Sequence, residues 1–138
     1  MTTTTEATAE AKRTVTLTGR RPVTIVESEW PTIADARDGV EMRNGTPLPD
    51  YERASWLLRV RKHADGSAIV YGVAKAPNAG WPDHGASDWR GGELLEAGHS
   101  DADMVAAIER VGQSLVEDGG APEDIIHRCI ADLPAEAL

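Results

Sequence analysis

Between Trp56 and Lys75 two apolar-rich runs flank Asp65-Gly66, a pair favoured in the type I′ turn of a β-hairpin. This is the strongest local signal in the chain. With a two-residue turn, Ala64 pairs with Ser67 and the register counts outward from there. One face then carries Trp56, Leu58, Val60, Ile69, Tyr71 and Val73, and reads as core. The other carries Leu57, Arg59, Arg61 and His63 opposite Ala74, Gly72, Val70 and Ala68, and reads as a surface. A slip of one residue would exchange the faces, because side chains alternate along a strand.

Around this hairpin the remaining elements fall into order. Thr14–Thr18 and Val23–Glu27 alternate apolar and polar residues across a Gly19-Arg20-Arg21-Pro22 turn, which predicts a second hairpin. Ser28-Glu29-Trp30-Pro31 resembles a helix start, and Thr32–Arg37 reads as a short helix stopping at Gly39. Asn44-Gly45, Pro47 and Pro49 mark Arg43–Asp50 as loop. Gly92–Ala97 reads as a last short strand. Ser100 and Asp103 have the spacing of a capping box, and Met104, Ile108, Val111 and Leu115 follow at helical intervals up to Gly119-Gly120. Pro122 opens a second helix with Ile125, Ile126, Cys129, Ile130 and Leu133 on its apolar side. Strands followed by a helical hairpin predict an α+β fold: an antiparallel sheet of four to five strands, with the C-terminal helical hairpin packed on one face.

At 138 residues the chain is read as one domain over 13–138, preceded by a disordered Thr/Ala/Glu tail, Met1–Lys12, without apolar pattern, so that regular structure is expected to begin at Thr14. The single Cys129 can form no internal disulfide, and the N-terminus lacks the basic and apolar regions of a signal peptide. No apolar run is long enough to span a bilayer. These features predict a cytoplasmic protein that does not enter membranes. The abundance of Ala, Gly, Asp and Arg suggests a GC-rich bacterial genome.

The charge is divided unequally. Lys12–Lys75 holds 11 Lys/Arg against 8 Asp/Glu and Ala76–Leu138 holds 3 against 13; with Glu6 and Glu10 ahead of them the net charge is −9. An acidic balance argues against a general nucleic-acid binder, whose affinity comes from neutralising phosphates. It leaves room for local basic patches. Arg59, Arg61 and His63 form one candidate binding stripe, about 7 Å apart along the strand. Such a row can grip phosphates or a partner's carboxylates. Alternatively it is a solvated face, or pairs with the chain's own acid, Glu27 and Glu29 or the acidic helices. If the helices cover the opposite face, Arg61 is expected to be exposed.

The second candidate is the Gly/Pro/Asp-rich loop Pro77–Gly92, which gathers Trp81, Asp83, His84, Asp88, Trp89 and Arg90. Loops this long are often functional, although its tryptophans could equally fold back on the core. The third is the acidic helical hairpin. Dipole complementarity accounts for Asp101, Asp103, Glu123 and Asp124, but not for Glu109, Glu117, Asp118 and Asp132. The histidines and Cys129 show no metal-ligand spacing, and no phosphate loop, nucleophile elbow or cofactor motif is present.

Two oppositely charged surfaces without a catalytic constellation predict a small accessory or regulatory protein rather than an enzyme. It would work by binding a macromolecule, foremost a protein partner or a second copy of itself. Nucleic-acid binding through Arg59 and Arg61 is the alternative, and an enzyme or small-ligand binder built on the 77–92 loop is the third.

Overall fold

The computed structural model describes residues 11–40, 42–43, 46–47, 54–75 and 88–135. Among these residues eight strands precede two α-helices: β1 (Lys12–Val15), β2 (Val23–Val26), β3 (Thr32–Val40), β4 (Met42–Arg43), β5 (Thr46–Pro47), β6 (Ala54–Lys62), β7 (Ala68–Lys75), β8 (Trp89–Leu95), α1 (Asp101–Gly119) and α2 (Asp124–Ala131), with a single 3-10 turn at Glu27–Glu29. The centre is a four-stranded antiparallel sheet in the order β3-β6-β7-β8. β1 pairs with β2, and the short β4 with β5. Both helices pack on the sheet, so the class is α+β, as the order of elements predicts.

The β6–β7 hairpin forms where the sequence places it, but its register is one residue off the expected one. His63 and Ser67 face each other through the His63 N–H, which donates to the Ser67 carbonyl at 2.8 Å. The Gly66 N–H returns to the His63 carbonyl at 3.0 Å, with Gly66 at φ +99°. The loop therefore has three residues, Ala64-Asp65-Gly66, with the glycine in the conformation of a G1-type bulge. The Asp65 carboxylate accepts the Ser67 N–H at 2.8 Å and holds that shape. Consequently Arg61 lies opposite Ile69, Arg59 opposite Tyr71, and Leu57 opposite Val73. The faces of β6 are as expected, while those of β7 are exchanged. Alternation could not decide this, because Ala68, Ile69, Val70 and Tyr71 are all buried.

On the helix side, Trp56, Leu58, Val60, Ala68, Val70 and Ala74 meet Met104, Ile108, Val111, Leu115, Ile125 and Cys129. Ser100 caps α1 reciprocally with Asp103, as the spacing predicts. Trp89 also faces this side, with its indole over the cross-strand pair Gly72 and Gly91. The opposite side is not open. The β1–β2 hairpin lies over it and forms a second core of Val15, Leu17, Ile25, Ile69 and Tyr71. Each such buried side chain contributes about 1.5–3 kcal/mol relative to an exposed one. Thr18 fixes the hairpin to β8: its N–H donates to the Gly92 carbonyl at 2.8 Å. Only glycine fits at 92, since a Cβ there would stand 2.7 Å from the Val70 oxygen and 2.9 Å from that of Thr16.

Two further expectations need correction. Thr32–Arg37 is not a helix but most of β3, paired along β6. A six-residue helix is too short to sustain itself, whereas a strand there gains a full ladder against β6. A bulge between Thr32 and Ala34 is its only irregularity. Order also begins earlier than Thr14: Lys12 already pairs with Val26, and residues 1–10 of the expected tail lie outside the described residues.

The outer edge of β3 is sealed by α2. The Asp35 N–H donates to Asp132 Oδ2 at 2.9 Å, and Arg128 donates to the Arg37 carbonyl at 2.9 Å and to Asp38 at 2.8 Å. Side chains bonded to an edge strand interrupt the row it would offer another chain. This gives Asp132 a structural role that its sequence position did not suggest.

Candidate functional site

The arginine stripe of β6 is buried. Arg59 is 7% exposed and Arg61 6%, because the β1–β2 hairpin covers their face. The expected open sheet surface is thereby corrected. Arg61 donates from Nε to the Tyr71 hydroxyl and from Nη1 to the Trp30 carbonyl, both at 3.0 Å, and its Nη2 lies 3.7 Å from Glu27. Arg59 donates to Asp35 at 3.0 Å, and its Nε is enclosed without an acceptor among the described residues. Arg13 reaches across from β1 to Glu27 at 2.9 Å. That hydrogen bond, with the charges of Arg61 and Arg59 behind it, holds the Glu27 carboxyl below its ordinary range. The stripe is thus paired with the chain's own acid, as one of its sequence readings allowed. A depressed carboxylate supplies its stability at neutral pH and loses it as pH falls through its folded-state value.

His63 belongs elsewhere. It sits at the turn end of β6, its ring 4.9 Å from that of Trp30, and its Nδ1 accepts the Asp65 N–H at 3.1 Å. Of the loop candidates, Trp81, Asp83 and His84 lie outside the described residues. Asp88 is exposed just before β8. Trp89 and Arg90, expected in a loop, are the first residues of β8 and point to opposite faces: Trp89 pairs with Ala74 on the helix side, Arg90 with Val73 on the other.

Beyond the reach of the covering hairpin, the arginine face opens into a groove of about 900 Å³. Among the described residues Arg13, Arg37, Arg59, Lys75 and Arg90 line it, with a single acid, Asp38, which is already bonded to Arg128. Lys75 and Arg90 are exposed and have no ion-pair partner among the described residues. The floor is Leu57 and Val73, cross-strand neighbours and half-buried. Of the expected binding residues, the groove brings together Arg59 and Arg90. Arg13, Arg37 and Lys75 escaped the sequence reading. Arg37 would have been found had β3 been read as a strand, since it pairs with Leu57.

Elsewhere part of the acid is spent on structure. Glu93 of β8 accepts both ends of the Arg110 guanidinium, at 2.7 and 2.8 Å. Glu109, Glu117 and Asp118 on α1 remain exposed without ion-pair partners among the described residues. No cluster of His, Cys, Asp and Glu able to hold a metal occurs among the described residues, and none of their helices is long and apolar enough to cross a membrane.

Cys129 is fully enclosed, with its sulfur 3.7 Å from the Leu58 carbonyl, and burial pushes its thiol up to about 12. A thiol that stays protonated and covered is inert. A thiol reagent at pH 8 is expected to leave the folded protein unmodified while labelling the denatured chain fully. Rapid labelling of the native protein would show that α2 does not bury this residue.

An α+β chain with a doubly covered sheet and a basic groove at one end of it is the class the geometry defines. Comparison with protein-family models, with curated proteins and with solved structures finds no match for this chain.

Proposed function

We propose that this is an accessory or regulatory protein that binds a partner protein through the basic groove, which receives an anionic segment of that partner. The observation that carries the reading is the gathering of five cations around one groove in a chain of net charge −9. A local positive patch on an acidic molecule directs anionic groups to one place and repels them elsewhere. A nucleic acid suits the groove less well. Its floor is aliphatic, Tyr71 is buried beneath the hairpin, and among the described residues no exposed aromatic stands there for base stacking. An enzyme built on the 77–92 loop would depend on His84 and Asp83, which lie outside the described residues.

The test is binding of a fluorescent Asp/Glu-rich peptide as salt is raised. Affinity should fall as salt screens the groove. The double variant Lys75→Ala/Arg90→Ala should bind roughly tenfold more weakly, a difference of about 1.4 kcal/mol. Its melting temperature should stay close to that of the parent, because both side chains are exposed. Absence of binding at low salt would remove the reading.

A further inference from the structure

Four residues cross the groove in one line. Arg37 pairs with Leu57, Leu57 with Val73, and Val73 with Arg90, so all four project from the same face of four adjacent strands. The order is cation, apolar, apolar, cation. Three strand spacings separate the two arginines, about 14 Å between backbones. In an extended peptide, residues i, i+2 and i+4 point the same way at intervals of about 7 Å, so i and i+4 also stand about 14 Å apart. A segment laid across the strands would therefore place two carboxylates over Arg37 and Arg90, and its middle side chain between Leu57 and Val73.

We infer that the groove recognises an extended segment of the form acid–x–apolar–x–acid, with the acids held by Arg37 and Arg90 and the apolar residue seated on Leu57 and Val73. The inference rests on the groove being the binding surface and adds what it selects. Charge complementarity supplies the attraction, and the guanidinium forks suit carboxylates geometrically. The half-buried aliphatic floor supplies the discrimination, because it is covered from water only by an apolar side chain. Lys75, one pair further along the same face opposite Ser55, extends the cationic rim.

The experiment measures fluorescence polarisation for three labelled peptides of equal charge at about 0.15 M salt. One carries glutamates at i and i+4 around a leucine. The second has serine for the leucine. The third has the glutamates moved together. The first should bind at least about tenfold more tightly than either control. Val73→Thr, which keeps the shape of the side chain, should erase the advantage of leucine over serine without abolishing binding. Equal binding of all three peptides, sensitive to Lys75→Ala/Arg90→Ala, would overturn the motif and leave the groove as a reader of charge alone. Tighter binding of a single-stranded oligonucleotide of matched charge would overturn it in favour of nucleic acid. No binding of any probe would remove the groove reading with it.

Discussion

Arg61→Ala is expected to destabilise the protein by about 3 kcal/mol, a far larger loss than an exposed arginine would give. The guanidinium is enclosed between β6 and the covering hairpin, where it donates to the Tyr71 hydroxyl and the Trp30 carbonyl. Truncation strips the Trp30 carbonyl of this donor, takes one donor from the Tyr71 hydroxyl and opens a void under the hairpin. A polar group left unsatisfied in the interior costs about 1–3 kcal/mol, and the void adds to that loss. Glu27 is partly spared, since Arg13 still holds it. A denaturant melt measures the loss, and a thermal melt should fall by roughly 10 °C. Arg61→Lys should recover only part of it, because an ammonium cannot reproduce the two-sided fork. A change within about 0.5 kcal/mol would mean that the hairpin does not cover this face. Arg61 lies outside the groove, so the surviving folded protein should keep its affinity for acidic peptide. That separates this arginine from Arg90.

Trp56→Ala should cost about 4 kcal/mol, within the range for deleting a buried tryptophan. Its ring fills the helix-side core, and its indole N–H donates to the Gly119 carbonyl at 2.8 Å. That carbonyl lies in the last turn of α1, where no intrahelical donor remains. Trp56→Phe keeps most of the apolar contact but loses the hydrogen bond, and should cost about 1–2 kcal/mol. Urea unfolding of the pair measures both contributions. A loss below about 1 kcal/mol for the alanine variant would show that α1 does not rest on this end of the sheet.

Local chemistry made much of the fold legible. Asp65-Gly66 set the main hairpin, Ser100 and Asp103 set the start of α1, and the spacing of Ile125 and Cys129 set the buried side of α2. β3 was not legible, because its short run of Thr, Ile and Ala has no decisive period of its own. Its strand conformation comes from the ladder it completes with β6. The candidate site was half legible. Arg59 and Arg90 stood out as cations in the expected places, but their surroundings did not. Leu57 and Val73 read as belonging to opposite faces until a three-residue turn brought them together.

The sequence by itself determined the class of the fold, the position of the central hairpin, the caps of α1 and the uneven division of charge. Each is written within a few neighbouring residues. Only the tertiary structure decided which face of β7 meets the helices, and that the arginine stripe is buried under β1 and β2. It alone joined Arg37, Leu57, Val73 and Arg90 into one row. Those outcomes depend on pairing between residues far apart in the chain. A strand apolar on both sides accepts either face, so a single residue in a turn settles the register for all of them.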